Sequence, residues 1–138
     1  NITPSVFAYR HGSPVINGEQ CGNGQGSITG MAFYDTGTYP TEYQGALFFQ
    51  DYSRRCMWVM LPDAPNGIPN PANRRAIIWN SSSGSIDLQV GPGGDLYYAE
   101  LDNGRIMRLQ YFSSNTPPVA ALQATPSSGP FSGLPRPS

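Results

Sequence analysis

GALFFQDYSRRCMWVML, residues 45–61, and GDLYYAELDNGRIMRLQ, residues 94–110, spell one strand–turn–strand phrase twice. The two copies align without a gap at an offset of 49 (45 to 94). Leu47 matches Leu96, Phe48 and Phe49 match Tyr97 and Tyr98, Met57 matches Ile106 and Met60 matches Leu109. Runs of large apolar residues broken by turn residues predict an antiparallel hairpin in each copy. Upstream, Ser27-Ile28 matches Ser85-Ile86 at an offset of 58 (27 to 85), which places nine extra residues in the first copy, within 35–44. A strand-rich unit recurring at about 50 residues has the period of a β-propeller blade. Such a blade is a four-stranded sheet that buries its faces only against its neighbours. Two similar hairpins in a β-sandwich are the alternative, because strands share composition.

Outward from the repeat, the chain stays strand-like. GMAFYD (30–35), RAIIWN (75–80) and IDLQVG (86–91) are short, aromatic or β-branched, and bounded by turn residues. Asn103-Gly104 predicts a two-residue hairpin turn, and GPGG (91–94) another reversal. PDAPNGIPNPANRR (62–75), with its four prolines, reads as a long surface connection. No segment carries a helical period. Gly (16) and Pro (14) account for 30 of 138 residues, which favours turns and short strands. The expectation is an all-β chain. Residues 1–111 form a partial β-propeller of about two four-stranded antiparallel blades. Residues 112–138 form an extended Pro/Ser-rich tail, where only VAALQAT (119–125) has strand character. A closed ring needs at least four blades of roughly 40 residues. The remaining blades must therefore come from the same parent chain or from another chain, and the sequence reads as a fragment.

Composition removes several functions. The net charge is −1 and the eight basic residues are all arginine, so no basic field marks a nucleic acid as partner. The absence of lysine excludes a Schiff-base or general-base lysine in this chain. No apolar run approaches the ~20 residues of a membrane span. Two cysteines and one histidine supply no zinc spacing. A lone disulfide between Cys21 and Cys56 suits a secreted or periplasmic chain, and two buried thiols are the other reading. Asn1-Ile2-Thr3 and Asn80-Ser81-Ser82 are glycosylation triplets of a kind that chance also produces.

GSITGMAFYD (26–35), YPTEYQGALFFQDYSRRCMWVM (39–60) and IDLQVGPGGDLYYAELDNGRIMRLQY (86–111) together resemble the C-terminal part of soluble glucose/sorbosone dehydrogenase-type propellers. The resemblance covers roughly residues 7–111, with AYRHG (8–12) as lead-in. It implies an extracytoplasmic six-bladed parent that oxidises sugars with pyrroloquinoline quinone (PQQ) and calcium. NTPPVAALQATPSSGP (115–130) resembles the linker and opening strand of a PKD-type immunoglobulin-like domain. The resemblance also implies a Cys21–Cys56 disulfide. Closing that loop of 35 residues (21 to 56) would stabilise the fold by roughly 3–4 kcal/mol.

The resemblance delivers no site. Its cofactor-binding lysine falls at Gln44 and its two arginines at Gly84 and Ile86, none of which can grip a tricarboxylate as a cation does. The catalytic histidine of the family lies in an earlier blade, so no catalytic residue, metal ligand or cofactor is expected in this chain. PQQ and calcium belong to the complete parent, and a sugar or polysaccharide is the expected ligand class. His11 reads as structural or surface, Arg54-Arg55 and Arg74-Arg75 as solvated turn charges. Asp51, Glu100 and Asp102 lack the density of a calcium loop. Tyr34, Tyr39 and Tyr43 could stack on a sugar but suit packing between blades better. Two other readings stand beside the oxidoreductase ancestry. One is a non-catalytic extracellular propeller binding glycan or protein; the other is a structural piece of an extracellular assembly.

Overall fold

The computed structural model describes residues 1–78, 81, 83–113 and 122–126. It is all-β. Strands β1 (Ile28–Phe33), β2 (Leu47–Asp51), β3 (Cys56–Pro62) and β4 (Pro69–Ile78) form one antiparallel sheet in the order β1-β2-β3-β4. Strands β5 (Ser85–Val90), β6 (Leu96–Glu100), β7 (Arg105–Tyr111) and β8 (Leu122–Pro126) form a second in the same serial order. Helical content is limited to single 3-10 turns at Thr41–Tyr43 and Pro92–Gly94. The segment after residue 111, expected as an extended tail, contributes β8 beside β7.

The repeated phrase becomes a repeated register. Leu47 opposes Met60 and Phe49 opposes Trp58 in the first hairpin, while Leu96 opposes Leu109 and Tyr98 opposes Met107 in the second. Every pair is displaced by the same 49 positions. The turn also repeats, because Asp51 closes on Cys56 and Glu100 closes on Arg105. Both loops have four residues and end on a left-handed one, Arg55 at φ 55 and Gly104 at φ 60. The expected two-residue Asn-Gly turn is thus replaced by a longer loop, with Gly104 alone taking positive φ.

The opening strands extend the match. Met31 and Phe33 oppose Phe49 and Leu47, as Leu88 and Val90 oppose Tyr98 and Leu96. That pairing sets an offset of 57 (31 to 88), so the first copy carries eight extra residues rather than nine. Each opening strand also has a bulge near its start, which bends it against its partner.

The prolines of 62–75 are accommodated differently from expectation. The connection is confined to residues 63–68, and Pro69 and Pro71 lie inside β4. β4 is an edge strand with one hydrogen-bonded neighbour, so a missing proline N–H can face outward without breaking the ladder.

Strand alternation gives each sheet two faces. In the first sheet, Leu47, Phe49, Trp58 and Met60 share the face called front here, and Phe48, Met57, Val59 and Leu61 share the back. The equivalent front of the second sheet is Leu96, Tyr98, Met107 and Leu109. One core joins the back of the first sheet to the front of the second, with Phe48, Val59, Leu96 and Leu109 fully buried. The sheets therefore stack front to back. They approach most closely along β1 and β5 and least at β4 and β8, diverging like spokes.

The extra residues of the first copy fasten this interface. Tyr34, Tyr39 and Tyr43 are buried in the shared core, and the rings of Tyr34 and Tyr39 stack at 4.5 Å. The Tyr39 hydroxyl donates to the Leu109 carbonyl at 2.5 Å and accepts from the Leu96 N–H at 2.8 Å. It ties the end of the β6–β7 ladder to the first sheet. Thr38 donates to Asp95 at 2.8 Å alongside it. Gly94, at φ 91, admits the passing loop: a Cβ there would stand 2.1 Å from the Thr36 carbonyl oxygen.

Candidate functional site

The front of the first sheet is covered in part by residues 7–21. Phe7, Tyr9, Val15, Ile16 and Cys21 pack on Phe49, Cys56, Trp58 and Met60. The Cys21–Cys56 disulfide joins segment to sheet with Cα atoms 5.7 Å apart. Two buried carboxylates complete the attachment. Glu19 accepts from the Val15 and Ile16 N–H groups at 3.1 and 3.0 Å, from Trp58 Nε1 at 2.9 Å and from Arg54 Nη2 at 2.6 Å. Asp51 accepts from the Tyr9 hydroxyl at 2.5 Å, the Ser27 N–H at 2.7 Å and the Arg54 N–H at 2.9 Å. Burial, aided by the hydrogen bond to Asp51, raises the Tyr9 phenol far above the usual tyrosine range, so it stays a neutral donor.

Arg54 is thus not a solvated charge. It is buried, paired with Glu19 and donates to the Ser13 and Gly22 carbonyls. A guanidinium placed among three acceptors satisfies its fork without water. Arg74 is also engaged, lying 4.4 Å above the Phe7 ring and donating to the Val15 carbonyl at 3.1 Å. Arg75 fits the expected surface role, exposed and opposite Glu42 at 3.2 Å. Arg55 pairs with Asp102 at 3.5 Å.

The other acidic candidates are occupied within the protein. Glu100, equivalent to Asp51, accepts from Arg105, Asn103 and Ser81. Asp102 accepts from the Gly84 N–H at 2.9 Å and the Tyr52 hydroxyl at 2.8 Å, which hold its carboxyl below the usual range. Among the described residues no three His, Cys, Asp or Glu side chains gather as a metal site.

The three positions implied for a quinone do not converge. Gln44 caps the 3-10 turn just before β2. Gly84 lies beside Tyr52, past the other end of β2, and a Cβ there would fall 2.2 Å from the Tyr52 ring. Ile86 sits within β5 opposite Ala99. An uncharged amide, a glycine and an isoleucine spread over both ends of the sheets do not fit an anionic tricyclic cofactor. His11 is exposed and lies against Gly26. Asn1 is exposed, and Asn80 lies outside the described residues.

What the segment 7–21 leaves uncovered is an apolar groove of about 340 Å³ on the front of the first sheet. Val6, Phe7, Met31, Phe33, Leu47 and Met60 line it, and no charged side chain borders it. Met31 and Phe33 are 59% and 60% exposed. Alternation in GMAFYD already placed these two side chains on one face. Nothing in the sequence marked Glu19 as a buried hub, since its loop has no period and its four donors come from four separate positions. No family model, no curated protein and no solved structure matches the chain.

Proposed function

We propose that this chain is two neighbouring blades of a larger secreted β-propeller of glucose/sorbosone dehydrogenase-like ancestry. Its role is to supply framework and pocket wall, not catalytic groups. The observation that carries this reading is the front-to-back stack of two sheets with one register. A sandwich built from a duplicated sheet commonly sets equivalent faces against each other. A propeller sets the back of each blade on the front of the next. The closer approach along β1 and β5 is the convergence a central axis requires. The Cys21–Cys56 disulfide supports an oxidising extracellular or periplasmic location, and none of the described helices is long and apolar enough to cross a membrane.

The misfit at Gln44, Gly84 and Ile86 favours a second reading for the parent, a non-catalytic propeller that binds glycan or protein. The two separate in one assay. The complete parent, supplied with PQQ and calcium, is tested for dye-linked oxidation of several aldoses. Dye reduction supports redox chemistry housed in other blades, and silence with retained glycan binding supports the second reading. In both cases this chain alone yields no turnover, and sugar oxidation by the isolated chain would overturn the framework role.

A further inference from the structure

The two ends of the stack differ in chemistry. Inside it, the front of the second sheet is covered by Phe48, Val59 and Leu61 of the first. The same front on the first sheet presents Leu47, Met31 and Phe33 to the open groove, uncharged and exposed or half-buried. At the far end, the back of the second sheet places Tyr97, Arg108 and Gln110 at the positions of Phe48, Val59 and Leu61. Arg108 is 37% exposed and pairs with Asp95 at 3.2 Å, and Gln89 beside Tyr97 is exposed. A polar outer face is how stacked repeats end against water. A rimmed apolar patch is how an interaction surface looks.

We infer that the groove beneath Met31 and Phe33 is the docking face for the apolar back of another four-stranded sheet, and that the back of the second sheet terminates the stack. The inference rests on the propeller reading. The occupant is set by the molecule itself, because the one equivalent front whose cover is visible, Leu96 with Tyr98 and Leu109, is covered by a sheet back. Growth is therefore one-sided, past the first sheet only. Association through the groove would bury side chains that no charge opposes, whereas association through Arg108 would desolvate an ion pair.

The test gives the closed end the chemistry of a buried back. Tyr97→Phe, Arg108→Val and Gln110→Leu, combined, copy Phe48, Val59 and Leu61 onto the second sheet. By sedimentation this triple variant should rise from 14.9 kDa to concentration-dependent larger species. Adding Met31→Glu and Phe33→Glu should return it to a monomer. A folded triple variant, with its disulfide and near-ultraviolet dichroism intact, that stays monomeric near millimolar concentration would overturn the inference.

Should the triple variant not fold, the unmodified chain is read with Nile red. Fluorescence enhancement should drop several-fold in Met31→Glu/Phe33→Glu. A signal untouched by that pair and removed by Ile106→Glu, on the back of the second sheet, would overturn the inference equally. Both readouts report sheet stacking, so a parent that oxidises no sugar leaves them unaffected, and their failure leaves the oxidation assay standing.

Discussion

Phe48 and Tyr97 occupy the same register position in two sheets of the same build, yet Phe48 is fully buried and Tyr97 only half so. The difference runs through both hairpins. Every residue of β3 is buried, while β7 begins with two exposed residues and buries only Met107 and Leu109. Backbone pairing is set locally, by strand composition and by a four-residue turn with one left-handed residue. Side-chain burial is set by position in the stack. The first sheet lies between the 7–21 segment and the second sheet; the second sheet is covered on its front. Identical local grammar therefore yields unequal energetic weight.

The largest expected effect breaks that asymmetry directly. Phe48→Ala should cost about 3–5 kcal/mol in chemical denaturation, the range for emptying a buried aromatic site. Tyr97→Ala should cost less than about 1 kcal/mol, because its site is open to water. Comparable losses at the two positions would mean the back of the second sheet is covered after all.

Second comes the covalent attachment of the 7–21 segment, which belongs to the first sheet alone. Replacing Cys21 and Cys56 by serine should lower stability by roughly 3–4 kcal/mol on chain-entropy grounds. The same change should raise the exposure of Trp58, read as a red shift and quenchability of tryptophan emission. Trp58 packs on Phe49 and donates to Glu19, so its emission follows the cover and not the second sheet.

The smallest of the three sharpens the contact between the sheets. Tyr39→Phe keeps the ring and deletes the hydroxyl bridging Leu96 and Leu109, leaving the Leu109 carbonyl and Leu96 N–H without that partner. The expected loss is about 1–3 kcal/mol. Burial raises the Tyr39 phenol well above its ordinary value, and that effect outweighs the opposing hydrogen bond from Leu96. A raised folded value means this contribution is whole below the unfolded tyrosine value of about 10. It fades as pH climbs from there toward the folded value. Tyr39→Phe should therefore flatten the alkaline limb of the stability profile above pH ~10, monitored by phenolate absorbance against circular dichroism.

Much of this was legible in the sequence. Leu47/Phe48/Phe49 and Leu96/Tyr97/Tyr98 announced the duplicated hairpin because apolar alternation and turn chemistry act over a few residues. Other features depended on longer range. Which member of each triplet is buried could not follow from identical local patterns, since it depends on what lies across the face. Arg54 looked like a turn charge because its acceptors, Ser13, Glu19 and Gly22, lie more than 30 residues away. Pro69 and Pro71 argued against a strand by their missing donors, an argument that lapses at an edge. At the candidate site, the apolar side of GMAFYD was readable, while the groove required knowing that residues 7–21 stop short of it.

Residues 35–38 are exposed at the surface, and they fall between the two half-cystines joined at 21 and 56. A protease that clips this loop separates the chain into two peptides on paper only. The halves would migrate as one band on a non-reducing gel and part when a thiol is added, so integrity judged under one condition alone would mislead.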